Sequence, residues 1–85
     1  MTYAVTLLQG AQKALDKMDI ALRGRMVRAM RLLEDDPRHP GAIKLAGPED
    51  LYRVRVGDWR IVYAIRDREL VVIVIRIGNR RDVYR

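Results

Sequence analysis

The spacing of apolar residues changes twice along the chain, and each change marks a new kind of element. Tyr3-Ala4-Val5-Thr6-Leu7-Leu8 is rich in β-prone side chains and predicts a first strand. From Ala11 the apolar positions Ala11, Ala14, Leu15 and Met18 recur at helical spacing, which predicts a short helix. Asp19 is placed to cap a second helix that gathers Leu22, Met26, Ala29, Met30 and Leu33 on one face and Arg23, Arg25, Arg28 and Arg31 on the other. Glu34-Asp35-Asp36-Pro37 ends it, because proline disfavours helical geometry in the residue before it. Arg38 to Asp50 holds Pro40, Gly41, Gly47 and Pro48 and reads as an irregular connection.

The rest of the chain reads as β. Leu51 to Val56 alternates strictly, Gly57-Asp58 signals a tight turn, and Trp59 to Ile65 alternates again. Asp67-Arg68 marks a further turn before Leu70-Val71-Val72-Ile73-Val74-Ile75, an unbroken apolar run expected of a strand covered on both sides and central in its sheet. Gly78-Asn79 is expected to break that strand, and Asp82-Val83-Tyr84 to form a short last strand or a tail. Residues 1–85 make one domain of α+β class: an N-terminal strand and an antiparallel helical hairpin packed on a small antiparallel β-sheet.

A register follows from the turn. With Gly57 and Asp58 as the two loop residues, Val56 faces Trp59, Arg55 faces Arg60, Val54 faces Ile61 and Tyr52 faces Tyr63. Side chains alternate across a strand, so Tyr52, Val54, Val56, Trp59, Ile61 and Tyr63 share an apolar face suited to the helices. Arg53, Arg55 and Arg60 share the other face. Like charges directly opposite each other destabilise a sheet, so stability gives no reason to gather them, whereas an anionic ligand does.

Composition sharpens this picture. The 85 residues carry a net charge of +6, and 14 of the 17 basic residues are arginine. Residues 51–85 hold nine arginines against four acids, a net of +5, and residues 1–50 a net of only +1. Arginine presents a planar fork that matches phosphate, so the C-terminal half points to a phosphate-bearing partner. The chain has no cysteine, which excludes disulfides, thiolate catalysis and Cys-ligated zinc. His39 is the only histidine and falls in the loop, where a surface role is expected rather than a metal or catalytic one. Met1-Thr2-Tyr3-Ala4 lacks the basic-then-apolar order of a signal peptide, and the run Leu70 to Ile75 is too short to cross a bilayer. The expectation is a cytoplasmic protein.

An arginine face can serve RNA cleavage, because RNA brings its own nucleophile, the 2′-hydroxyl. The protein then has to align that oxygen with the scissile phosphate and stabilise the charge that develops there. The arginine face has no acidic cluster suited to a divalent metal, and no phosphate loop, dinucleotide fingerprint or Ser/His/Asp set appears.

Two segments carry a resemblance: Leu51-Tyr52-Arg53-Val54-Arg55-Val56-Gly57-Asp58-Trp59-Arg60-Ile61-Val62-Tyr63, and Ile77-Gly78-Asn79-Arg80-Arg81-Asp82-Val83-Tyr84. Together with Asp36-Pro37 and Lys44-Leu45-Ala46-Gly47, they resemble the signature of the RelE/ParE toxin superfamily over essentially the whole chain. The resemblance implies a metal-independent, cofactor-free endoribonuclease that cuts mRNA in the ribosomal A site and so inhibits translation. By position, Arg53 and Arg55 match two basic residues of the family's active strand, and Arg60 its phosphate-binding arginine. Arg80 matches an arginine on the leaving side, Tyr84 a tyrosine that orients the base, and Arg81 and Arg85 are further candidate contacts to RNA. The chain departs from some members in having arginine for lysine at Arg53 and Arg55, and Asn79 where many have histidine. The implied partners are the small ribosomal subunit, mRNA and a cognate antitoxin, with the toxin alone a monomer and no membrane involved. Two other readings stay open: a ParE-like poison of DNA gyrase on the same fold, and a non-catalytic nucleic-acid-binding module.

Overall fold

In the computed structural model, which describes residues 2–79, two helices lie on one face of a five-stranded sheet. The elements are β1 (Ala4–Leu7), α1 (Gln9–Asp16), α2 (Ile20–Asp35), β2 (Ile43–Lys44), β3 (Leu51–Val56), β4 (Trp59–Arg66) and β5 (Val71–Asn79). The sheet order is β1-β5-β4-β3-β2. No helix among the described residues is long and apolar enough to cross a membrane.

Local chemistry sets the helix ends. The Asp19 carboxylate accepts a hydrogen bond from the Leu22 amide at 2.8 Å, the expected N-cap of α2. Arg23 reaches back from α2 and donates to the carbonyl oxygens of Leu15, Asp16 and Met18, closing the end of α1. The apolar sides of the helices then bury Ala11, Leu15, Met26, Met30 and Leu33 against Val54, Val56, Ile61, Tyr63, Val72 and Val74 of the sheet.

The sheet differs from the expected antiparallel one in several respects. It is mixed, because β1 pairs in parallel with β5 from Ala4↔Val71 to Leu7↔Val74. The apolar run in β5 is not covered on both sides: the helices bury Val72 and Val74, while Val71, Ile73 and Ile75 are half-buried on the open face. The middle strand is β4, and β5 lies beside the edge. β5 also runs through Gly78 to Asn79, because Gly78 still pairs with Arg60. A bulge interrupts the β4–β5 ladder, where Val62 pairs with Arg76 but Tyr63 with Val74, leaving Ile75 as the extra residue. The short strand β2, inside the segment read as irregular, pairs Ile43 with Arg53 and Lys44 with Tyr52.

A polar knot ties the turn after β4 to the loop after α2. Arg38 grips Asp67 with two hydrogen bonds of 3.0 and 2.9 Å, Tyr3 donates to the same carboxylate at 2.8 Å, and Arg38 Nε donates to the Tyr52 hydroxyl at 3.2 Å. Beneath it the buried Tyr63 hydroxyl donates to the Pro37 carbonyl at 2.7 Å, and burial pushes its pKa up to about 12. The Arg38 and Tyr3 hydrogen bonds hold the Asp67 carboxyl down at about 2, below its ordinary 3.8. A depressed carboxylate pKa adds stability that is present above the ordinary value and is lost as pH falls through the folded one. Urea titrations should therefore show wild type losing stability relative to Asp67→Asn as pH falls from about 4 towards about 2. Parallel pH profiles for the two proteins would show that the knot contributes nothing. His39 sits in the same loop, where its Nδ1 accepts a hydrogen bond from the Gly41 amide at 2.9 Å.

Candidate nucleic-acid interface

The β3–β4 hairpin has the register that its two-residue loop dictates, with Val56↔Trp59, Arg55↔Arg60, Val54↔Ile61 and Tyr52↔Tyr63. Gly57 has φ +61° and Asp58 does not share the positive sign, the pattern of a type II′ turn with glycine first. Arg53, Arg55 and Arg60 therefore lie on the helix-free face, as the alternation requires. One row across the sheet reads Arg55, Arg60, Gly78, and the next reads Ile43, Arg53, Val62, Arg76.

Their depths differ, which alternation alone does not reveal. Arg55 is exposed and its Nε donates to the Gly57 carbonyl at 2.9 Å, folding the side chain over the turn. Arg53 is half-buried. Arg60 is only 6% exposed, and its Nη1 donates to the Trp59 carbonyl at 3.3 Å. The Nε atoms of Arg53 and Arg60 are both withdrawn from water. Charge held in such a poorly solvated place acts more strongly on a bound anion than charge on a flexible surface arm.

One further arginine joins the three expected ones on this face, and another lies at the hairpin turn. Arg76 is exposed on the same face, across Val62 from Arg53. Only the bulge at Ile75 turns it outward, and alternation carried on from Val72 and Val74 puts it in the core. Arg25 of α2 lies against the hairpin turn, so close that a Cβ built on Gly57 falls 2.8 Å from Arg25 Nη2. The sequence shows Arg25 only as one of a polar helix stripe, because its contact with Gly57 spans the fold. Asn79 pairs with Trp59 and so belongs to the helix-side face of β5, away from the arginine rows. Arg80, Arg81, Tyr84 and Arg85 fall outside the described residues.

Beyond the arginine rows the open face becomes apolar. Leu51, Ala64 and Ile75 line a shallow groove of about 490 Å³, with Glu49, Asp50 and Arg66 at its margin. Among the described residues no three His, Asp or Glu side chains gather as a metal site would need. The arrangement can therefore hold a phosphodiester against several guanidinium groups, with an apolar surface beside it.

Residues 5–84 match the family model described as the ParE toxin of type II toxin-antitoxin system, parDE. A RelE-like toxin protein of Escherichia coli is 33% identical over 99% of this chain and 92% of its own length. Among solved structures, the archaeal RelE in the RelE–RelB complex from Pyrococcus horikoshii OT3 superposes with a TM-score of 0.81 at 32% identity, covering 96% of this chain and 99% of that one. The isolated E. coli RelE toxin gives 0.80 at 28% identity, covering 96% and 90%.

Proposed function

The chain belongs to the RelE/ParE superfamily of type II toxins, and from that premise we propose that it is a ribosome-dependent, metal-independent endoribonuclease that cuts mRNA in the A site. The observation that supports this most is the facing of Arg55 by Arg60 on the helix-free sheet surface, with Arg53 and Arg76 in the adjoining row. Opposed guanidinium groups disfavour the sheet on its own and favour it with a phosphodiester between them.

The RNA supplies the attacking oxygen. Its 2′-oxygen loses a proton and bonds to phosphorus, and the bond from phosphorus to the 5′-oxygen breaks. That oxygen takes up a proton, leaving a 2′,3′-cyclic phosphate on the upstream fragment. Arg53 and Arg55 stay protonated throughout, so they act by charge and alignment rather than by accepting the 2′-proton. Arg60, withdrawn from water, stabilises the charge on the five-coordinate phosphorus. Arg80 and Tyr84 are assigned to the leaving side and the base by the family resemblance. The ribosome presents the codon in line, and the cognate antitoxin, as in the RelE–RelB complexes, is the protein partner. An acidic, amphipathic antitoxin segment would pair with the arginine rows and bury the apolar half of the same face.

Primer extension on a reporter mRNA in a reconstituted translation system tests this. Cuts within A-site codons should appear with ribosomes and vanish without them. The ParE family-model match favours a second reading, a gyrase poison. Intact mRNA in growth-arrested cells, with gyrase inhibited, would establish that reading instead.

A further inference from the structure

A second basic groove opens at the end of the sheet. β1 pairs only as far as Val74, so among the described residues no strand pairs with β5 from Ile75 to Asn79 on that side. α1 lies alongside, and between the two is a groove of about 450 Å³ whose lining includes Lys13, Lys17, Arg76 and Trp59. Among the described residues that line it, none is acidic. Lys13 lies in the last turn of α1 and Lys17 is its C-cap four residues on, so both ammonium groups stand at the C-terminal end of the helix beside the groove.

Gly10 adds an independent sign. It lines the groove within α1, its φ is not positive, and a Cβ built on it meets nothing within 4 Å. Gly10 is the second residue of α1, and neither its backbone nor its packing requires glycine there. A ligand lying close to the helix would.

We infer that this groove is an RNA subsite, taking the single-stranded nucleotides that flank the cut. Arg76 joins the two places: it stands in the arginine row beside Val62 and also lines the groove. A strand crossing the arginine face passes Arg76, lays its next phosphates against Lys13 and Lys17, and can rest a base on Trp59. The inference rests on the arginine face being an RNA site, but it does not need that face to cut.

Binding of uncleavable all-deoxy oligonucleotides tests it, with a trinucleotide that covers only the arginine rows and a dodecanucleotide that reaches beyond them. For the dodecamer, the plot of log affinity against log salt should be shallower by about 1.4 in Lys13→Ala/Lys17→Ala than in wild type, since each single-strand phosphate contact contributes about 0.7. Trinucleotide binding should not change. Gly10→Glu, which sets a carboxylate in open space, should reproduce the dodecamer-specific loss. The inference is overturned if the lysine variant matches wild type on the dodecamer, if both lengths weaken alike, or if wild type binds neither. Loss of an acidic antitoxin peptide instead of the dodecamer would assign the groove to that partner and overturn it too. Normal A-site cleavage with unchanged dodecamer binding would sink the groove and leave the nuclease standing. A length-dependent loss in a protein that never cuts would do the reverse.

Discussion

Arg60→Ala is expected to lower A-site cleavage about 10²- to 10³-fold, the loss typical of removing one preorganised stabiliser of transition-state charge. Arg60 is the arginine of its row most withdrawn from water, so a flexible neighbour substitutes for it least well. Arg60→Lys keeps the charge and most of the stem but loses the planar fork, and should fall between alanine and wild type. A buried arginine also contributes packing through its stem, so each variant needs a thermal melt beside the primer-extension assay. In cells, Arg55→Ala/Arg60→Ala should permit growth. Full toxicity in that double variant, or wild-type cleavage by a folded Arg60→Ala protein, would remove these residues from the site.

Leu33→Ala should destabilise the fold by about 2–5 kcal/mol, because Leu33 is fully enclosed between α2 and the sheet. That is a large share of the roughly 5–15 kcal/mol typical of a whole domain. At about 4–8 °C per kcal/mol for a chain of this size, the melting temperature should fall by about 8 °C or more. Its neighbour Leu32 is 58% exposed, and Leu32→Ala should change stability by no more than about 0.5 kcal/mol. The pair isolates burial from residue type. Equal effects in a circular-dichroism melt would contradict the packing described.

Sequence reached the site where local rules suffice. Gly57-Asp58 fixes the loop at two residues, and a two-residue loop fixes which side of the sheet Arg53, Arg55 and Arg60 occupy. Asp19 could be read as a cap because its bond to Leu22 spans one helical turn. What escaped is set by contacts distant in sequence. No pattern within Ala4–Leu7 states that β1 runs parallel to β5, since a short edge strand carries no mark of its neighbour. Alternation assigns Arg60 a face but not a depth. Arg25 reads as a solvated helix residue until the fold lays it over Gly57. The run ending at Ile75 suggested two-sided burial, yet the helices cover one side only.

The extra residue in β5 makes the strand's length a constraint separate from its composition. Val72 and Val74 face the helices, Ile75 is the uncounted position, and Arg76 and Ile77 resume with their parity reversed. Exchanging Ile75 for another apolar residue preserves that phase. Deleting it turns Arg76 towards the apolar interior and Ile77 towards the outside at one stroke. Sequence drift in this strand is thus free to change letters but not their number, so relatives that keep this site should align through Ile75 without a gap even where few side chains agree.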